Sequence, residues 1–347
     1  MSSVPPSSRR RATTPRPSWL ARGLTLLVGL YAAGVLVVLA ILLTAVDRHW
    51  IGTLIGFGPR WVFALPLPVL ALAALVFRRI LLVPLAACAF LIVVPILDLS
   101  LGLGGDDRGE PLRIVTQNLG ATMKLADPRF LRFLEETRAD VVVVQECWRD
   151  EKPETSPDPA FHLALDNTLC VLSKHPIARV SGRPREDVWE RAGAGEIGVF
   201  ELTTPQGPIW ILALQLETAR EGFEAFLSEK LGGVPKMEQN EELRRWESQL
   251  ATAWAAEHAK SPLIVAGDFN MPVESAIYKA SWSHLHNAWS RCGTGFGWTK
   301  RTKKIGARID HLLYDDRWGC ADAELAPDIG SDHRGVIVDL RLLPAGG

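Results

Sequence analysis

The stretch Pro262–Pro272, PLIVAGDFNMP, runs from an apolar segment directly into two polar side chains, and it indicates the fold more clearly than any other part of the chain. An apolar run between turn residues predicts a buried strand. If the chain stays extended past Gly267, Asp268 and Asn270 lie on one face and Phe269 points the other way, into the core. Burying a carboxylate beside an amide is costly, so the pair should meet a metal, a substrate or a hydrogen-bonded turn.

The same pattern recurs at other predicted strands. RIVTQN leads to Asn118, DVVVVQE leads to Glu146, RIDHLL carries Asp310, and Asp332 and His333 stand just before GVIVDL. A helical pattern with an Asp-Pro start signal separates the first two strands, and this alternation indicates an α/β or layered α+β class. Taken singly, each residue is ordinary for a turn or a surface. Together, carboxylates, amides and imidazole without thiolates fit a hard divalent cation and a phosphate.

Three apolar segments, Trp19–Val46, Trp61–Phe77 and Ile80–Leu97, precede these motifs. A helix needs about 20 apolar residues to cross a bilayer, with a lower limit near 17, so we predict three transmembrane helices, the second and third short. A cleaved signal peptide explains only the first segment. Buried helices of a soluble domain are the alternative, which the lack of charges in the second and third segments disfavours.

Basic residues set the predicted orientation. Four arginines precede the first span, and Arg78 with Arg79 separates the second from the third, so both regions are expected in the cytoplasm and everything after Leu103 outside it. The predicted organisation is a disordered basic tail (1–18), a membrane domain (19–103), a flexible linker (104–111) and one large domain (112–347).

The charge of the large domain argues against nucleic acid as a stable partner. Residues up to Leu103 include 9 Lys+Arg and 2 Asp+Glu, whereas the remainder has 29 and 37, a net charge of −8. An acidic domain binds nucleic acid poorly without a specific site. In an oxidising compartment its four cysteines can form disulfides, but the sequence leaves their pairing open. They are Cys147, Cys170, Cys292 and Cys320.

The motifs in their order resemble the endonuclease/exonuclease/phosphatase superfamily. The matching motifs are QN at Asn118, QE at Glu146, LSKHPI at 172–177, GDFN at 267–270, RIDHLL at 308–313 and SDH at 331–333. The resemblance covers about residues 112–343 and leaves the membrane segments outside. It implies a four-layered α/β/β/α sandwich with the site at one end of two facing sheets.

The resemblance also implies a metal. Glu146 is then the principal Mg²⁺ ligand, with Mn²⁺ as the other candidate ion. Asn118 and Asp332 would lie close to the metal or to the phosphate. These are expectations carried over by position in the motifs.

The remaining motif residues acquire implied roles in hydrolysis. Asp268 would orient and deprotonate the attacking water, and Asn270 would hold water or a phosphate oxygen. His333 would donate to the phosphate, with Asp310 fixing its tautomer. The chain departs from the family at LALQLETAR, where Gln215 replaces the usual histidine. Glutamine donates a hydrogen bond but cannot act as an acid, so activity on poor leaving groups is in question and a non-catalytic binding module is the alternative.

Substrate specificity is expected in the segments Glu217–Asn240 and Thr299–Arg308, where Arg220, Lys300 and Arg301 are the candidate substrate-binding residues. An amphipathic helix in the first segment is either a lid or interfacial helix, or ordinary core packing. Membrane anchoring favours a phosphorylated substrate at the outer membrane surface, with lipid-linked phosphates preferred. Extracellular nucleic acid is the main enzymatic alternative.

Overall fold

The structure is a computed structural model of the 347-residue chain. It describes residues 19–120, 123–147, 155–182, 190–191, 193–258, 260–301 and 306–344. The predicted disordered tail, residues 1–18, lies outside these ranges.

Within the described residues, three helical segments are long and apolar enough to cross a membrane, at the three places predicted. They are Trp19–Thr44, Arg60–Phe77 and Arg79–Ile96, with 26, 18 and 18 residues and mean hydropathies of 2.8, 2.0 and 2.5. The first is helix α1 (Trp19–Thr44). A short helix α2 (Trp50–Phe57) follows it, and the other two segments contain α3 (Pro66–Phe77) and α4 (Leu82–Leu91).

Hydrogen bonds identify the two ends of this helical bundle. Arg78, between the second and third segments, donates from Nη1 to Thr25 Oγ1 in the second turn of α1, at 2.8 Å. At the opposite end, Arg60 donates from Nη1 to the carbonyl of Ile96, at 3.2 Å. The chain therefore leaves the bundle at the end away from Arg78.

The strands that follow form two six-stranded sheets in the described part of the chain. The first has the order β15-β16-β2-β3-β5-β4 and the second β10-β14-β9-β8-β7-β6. Strands of the first sheet are β2 (Glu110–Asn118), β3 (Val141–Gln145), β4 (His162–Asp166), β5 (Leu169–Ser173), β15 (Trp318–Leu325) and β16 (Val336–Leu342). Strands of the second are β6 (Ile177–Gly182), β7 (Glu196–Thr204), β8 (Gly207–Gln215), β9 (Leu263–Asp268), β10 (His286–Asn287) and β14 (Asp310–Tyr314).

Three apolar clusters arrange these sheets into layers. The inner faces of the two sheets share one core, which includes Ile114 of β2 and Ile211 of β8. Helix α5 (Pro128–Thr137) packs on the outer face of the first sheet through residues such as Phe130. Helices α7 (Val234–Glu257) and α8 (Ala276–Trp282) cover the outer face of the second. The predicted four-layered α/β/β/α sandwich is confirmed.

The segment interpreted as a linker, 104–111, is attached to this sandwich. Gly104 donates its amide to Arg291 O at 2.9 Å, and Asp106 donates to Cys320 O at 2.6 Å. Strand β2 already begins at Glu110. The segment thus differs from a free connection, because its backbone groups are bound to the domain that it leads to. The cysteines pair as Cys147–Cys170 and Cys292–Cys320.

His311 is a buried histidine whose surroundings favour the neutral ring. His311 of β14 is 2 % exposed, with Nε2 2.9 Å from Met271 O and Nδ1 3.2 Å from Asn287 Nδ2, so a neutral ring protonated on Nε2 satisfies both contacts. Burial, with Arg308 nearby, lowers the pKa of His311 to about 4.

We predict that His311 makes the fold sensitive to acid. Between its unfolded pKa of about 6.5 and its folded pKa, only the unfolded chain binds the proton, so the free energy of unfolding falls by about 3 kcal/mol as the pH drops through this window. Thermal unfolding of the detergent-solubilised chain should show this slope, and His311→Gln should reduce it. An identical pH dependence in both proteins would contradict the prediction.

Candidate active site

The polar residues predicted from the sequence meet at one end of the two facing sheets. Asn118 ends β2 and pairs with Gln145, the residue before Glu146. In the second sheet Asp268 ends β9, with Gln215 of β8 and Asp310 of β14 as its neighbours in register. Since Gln215 continues the inner face of β8, it points toward the first sheet, where it contacts Glu146.

The backbone at this end adopts conformations that extended strands do not. Glu146 and Asn270 have φ of +52° and +49°, in the left-handed region. Gly267 is required because a Cβ there would lie 1.8 Å from the carbonyl oxygen of Leu214. The expectation that the chain stays extended through Asn270 is therefore wrong: the strand ends at Asp268, and Asn270 turns back to donate from Nδ2 to Leu216 O at 2.8 Å. Left-handed non-glycine residues concentrate at functional sites.

Asp268 is the centre of the site. Its side chain is buried, and it accepts the Asn270 amide on Oδ1 at 2.9 Å and Asn118 Nδ2 on Oδ2 at 3.2 Å. His333 Nε2 lies 3.7 Å from Oδ2. Burial, assisted by the charge of Asp310, raises the pKa of Asp268 to about 7. A carboxylate with such a pKa is suited to accept a proton near neutral pH.

His333 and Asp310 form a buried pair beside it. His333 Nδ1 lies 2.9 and 3.1 Å from the two carboxylate oxygens of Asp310. Burial opposes the charge on the ring, but Asp310 and Asp268 outweigh it and raise the pKa of His333 to about 9. The ring is therefore a cation at neutral pH, with Nδ1–H held by Asp310 and Nε2–H directed toward Asp268.

Glu146 stands at the opposite side of Asp268. Its Oε1 accepts from Gln215 Nε2 at 2.9 Å and from Asn118 Nδ2 at 3.3 Å, so Asn118 joins the two carboxylates Glu146 and Asp268. Among the described residues, no Lys, Arg or His lies within salt-bridge distance of Glu146. Two neighbouring carboxylates that share neutral amide donors provide the oxygen ligands that Mg²⁺ or Mn²⁺ prefers.

A second group that could hold a metal overlaps with this one. One ligand atom each of Asp268, Asp310 and His333 lie within 4.8 Å of one another. Mg²⁺ is served poorly by imidazole, and the hydrogen bond between Asp310 and His333 already uses Nδ1. The Glu146 side of the site therefore fits a hard cation better. Asn118 directs its donor nitrogen to both carboxylates. To act as a metal ligand, its side-chain amide would have to turn so that the oxygen faces the cation.

Comparison with known proteins identifies the family. The family model for the Endonuclease/Exonuclease/phosphatase family matches residues 115–333, more than half of the chain. The chain belongs to this family. Its members are nucleases or phosphatases that hydrolyse phosphate esters, commonly with divalent metals. No curated protein sequence matches the chain.

Solved structures are similar to the chain, and the first one named here shares its fold. Truncated TDP2 from Caenorhabditis elegans has a TM-score of 0.50 at 13% identity, covering 68% of this chain and 100% of its own. An endonuclease/exonuclease/phosphatase from Beutenbergia cavernae has 0.47 at 19% identity, covering 68% and 72%. A family protein from Bacteroides thetaiotaomicron has 0.48 at 15%, covering 67% and 98%. At these identities the likeness concerns the fold alone.

Other predicted residues lie at the rim of this family site. Asp332 forms an ion pair with Lys300, and its side chain is 59% exposed. Lys300 belongs to strand β12 (Lys300–Arg301) and forms an isolated β-bridge with His333, so its backbone lies next to the centre of the site. Arg301 is exposed, and Arg220 pairs instead with Glu224 at 2.8 Å. A role for Asp332 in metal binding and for the three basic residues in substrate binding stays a prediction.

Two supporting residues were not identified from the sequence. Thr299 is fully buried, and its Oγ1 accepts the amides of Ile309 and Asp310, both at 3.1 Å, which fixes the start of β14. Ser331 donates to Asn118 O at 2.8 Å and accepts the His333 amide at 3.1 Å. Ser331 is part of the SDH motif, which was a signal for it. Thr299 lies in a basic loop sequence that gives no such signal.

Gln215 gives a test of how the Glu146 side is organised. Gln215 donates to a charged acceptor, so Gln215→Ala should slow phosphoester hydrolysis by roughly tenfold. Gln215→His introduces a group that titrates near neutrality, so it should raise the rate on substrates with poor leaving groups and add a pH-dependent limb. Steady-state rates with good and poor leaving groups measure both effects, with Gln206→Ala at the far turn as control. Unchanged rates and pH profiles in both Gln215 variants would exclude this role.

Proposed function

We propose that the chain is a membrane-anchored, Mg²⁺- or Mn²⁺-dependent phosphoesterase that hydrolyses a phosphate ester or pyrophosphate at the outer membrane surface. The observation that carries this proposal is the juxtaposition of Asp268 with the cationic His333–Asp310 pair on one side and with Glu146 on the other. It supplies a proton acceptor, a charged donor and an oxygen-rich metal position within one buried site.

The chain's own residues account for most of the chemistry. Asp268 accepts the proton of the attacking water. The backbone amide of Asn270 donates to Oδ1 of Asp268 and so fixes the orientation of this carboxylate. His333 donates from Nε2 to a phosphate oxygen as negative charge develops, with Asp310 fixing the ring. A divalent cation bound at Glu146 would supply further charge neutralisation on the phosphate and leaving oxygens. Gln215 is no acid, which favours substrates with good leaving groups, such as pyrophosphates.

The preferred substrate is lipid-linked. Residues after Leu103 carry a net charge of −8, which disfavours a stable complex with nucleic acid. Three apolar helices would fix the site at a bilayer, where lipid phosphates are concentrated. An extracytoplasmic nuclease and a non-catalytic phosphate-binding module are the alternatives.

The extracytoplasmic orientation is part of the proposal. Arg22 and Arg78 lie at the end of the bundle away from the sandwich, four further arginines precede α1 in the sequence, and such residues favour the cytoplasm. The two disulfides agree with an oxidising compartment. A phosphatase reporter fused after Gly347 should be active in intact cells. A silent phosphatase with a fluorescent cytoplasmic reporter would reverse the orientation.

A substrate panel tests the activity. The detergent-solubilised full chain is assayed with isoprenyl pyrophosphate, sphingomyelin, an inositol phosphate, bis(p-nitrophenyl) phosphate and DNA, with and without EDTA. We expect turnover of a lipid phosphate that EDTA abolishes and that Mg²⁺ or Mn²⁺ restores. Turnover insensitive to EDTA excludes the metal, preference for DNA favours the nuclease, and tight binding without turnover favours the binding module.

A further inference from the structure

The end of the sandwich that carries the active site faces the membrane helices. Residues between or after the apolar segments bind the sandwich: Asp47 with Arg244, Arg60 with Glu274, and Asp98 with Arg308. The last two partners lie within a few positions of site residues. Glu274 follows Asp268 by six residues, and Arg308 precedes Asp310 by two. The Ala276 amide also donates to Val46 O, directly after α1, at 3.0 Å. The active site therefore lies at the end of the sandwich that contacts the apolar helices.

Helix α6 (Arg220–Glu229) begins five residues after Gln215 and contacts the N-terminal helices. Its Phe226 contacts Trp50 and its Phe223 contacts Phe57, with ring centroids 5.7 and 5.6 Å apart. Trp50 and Phe57 belong to α2, which lies between the first two apolar segments. One side of α6 is thus held against the surface at which those segments leave the bilayer.

Two leucines at the end of α6 are uncovered. Leu227 lies in the last turn of α6 and Leu231 in the 3₁₀ turn that follows it (Lys230–Gly233), and they are 69% and 67% exposed. Among the described residues from 110 onward, the other large apolar side chain that is exposed is Val180, on β6. Lys230 lies between the two leucines and is exposed as well, and such a pattern of leucine and lysine is typical of an interfacial segment.

We propose that Leu227 and Leu231 insert into the interface of the same bilayer that holds the chain's apolar helices, and that α6 thereby holds the active-site opening at the level of the lipid headgroups. The substrate then enters from the membrane and need not leave it. This second part rests on the proposed function, whereas the insertion does not. The occupant of the apolar surface is lipid because the α2 contacts place that surface at the bilayer.

Fluorescence tests the insertion without any assay of activity. The full chain with Cys88→Ser and Leu231→Cys is labelled with an environment-sensitive dye in nanodiscs of phosphatidylcholine and phosphatidylglycerol. Gln206→Cys is the control, because the β7–β8 turn lies about 30 Å from the site along β8. We expect a blue-shifted emission at 231 and several-fold stronger quenching by lipids with a nitroxide near the headgroup than at 206.

Each other outcome contradicts the proposal. Equal emission and equal quenching of the dye at position 231 and at position 206 would show that Leu231 lies in water. Quenching by a nitroxide on a second copy of the chain, and not by lipid, would assign the surface to a dimer.

Turnover then tests the consequence for the substrate. Leu227→Ser/Leu231→Ser should lower hydrolysis of isoprenyl pyrophosphate in nanodiscs by about tenfold or more relative to hydrolysis of soluble bis(p-nitrophenyl) phosphate. An equal loss on both would show that the leucines only stabilise the fold. If the unmodified chain hydrolyses neither compound, the proposed function fails, and the quenching experiment still decides whether α6 inserts.

Discussion

Asp268→Asn is expected to lower kcat by on the order of a thousandfold, about 4 kcal/mol, with the fold intact. The substitution keeps the shape of the side chain and an oxygen for the Asn270 amide, but it removes the proton acceptor and one negative charge beside His333. The measurement is kcat on the best substrate of the panel at saturating Mg²⁺, with thermal unfolding of the same protein as a check on folding.

A matched control separates this effect from the removal of any carboxylate. Asp316, whose side chain is 93% exposed, lies at the opposite end of β14, and Asp316→Asn should leave kcat within a factor of two or so. If Asp268→Asn retained a rate within a few-fold of the unmodified chain, Asp268 would not be the proton acceptor, and the arrangement with His333 would serve binding alone.

The sequence was sufficient to predict the fold and most of the site. Apolar runs that end in Asn118, Glu146 and Asp268 are local features, and alternation along a strand determines where such side chains point. The motif series added the facing sheets and the His333–Asp310 pair. The strand ends could be predicted because each depends on residues close together in the chain, whereas the facing sheets and the His333–Asp310 pair followed only from the family resemblance; the roles of these residues stay predictions.

Features that depend on distant parts of the chain were not predictable in the same way. Asn270 turns to bind Leu216 O because the strand ends at Asp268, and an extended continuation is equally compatible with the local sequence. Asp332 contacts Lys300 across 32 residues. Arg244 of α7 binds Asp47, 197 residues away in the chain.

Two acidic residues near the apolar helices are a sequence signal for the contacts between these helices and the sandwich. Asp47 and Asp98 are the acidic residues of the first 103 positions, and both lie at the end of an apolar segment. A lone carboxylate next to a membrane segment requires a partner. Both find one in the sandwich, Arg244 and Arg308, but the sequence does not indicate which of its many arginines is chosen.

Removing one member of the Asp47–Arg244 pair is expected to destabilise the chain by about 3–5 kcal/mol. Both side chains are 0% exposed and joined at 2.8 Å, so Arg244→Met leaves an uncompensated buried carboxylate and Asp47→Leu leaves a buried guanidinium. Thermal or denaturant unfolding of the detergent-solubilised chain measures the loss. Arg108→Met is the control, because the Arg108 side chain is 79% exposed in its pair with Asp106 and its removal should leave the unfolding transition essentially unchanged.

The double variant Asp47→Leu/Arg244→Met distinguishes the pair's own contribution from the cost of breaking it. Within the described residues Asp47 Oδ2 and Arg244 Nε have no hydrogen-bond partner, so the pair is desolvated without being fully satisfied. Apolar side chains of similar volume should therefore recover most of the loss or exceed the original stability. A double variant as unstable as either single variant would contradict this, because it would show that the ion pair itself stabilises the contact and that no cost of an unpaired charge remains to be recovered; losses that simply add would show that the two side chains are not coupled.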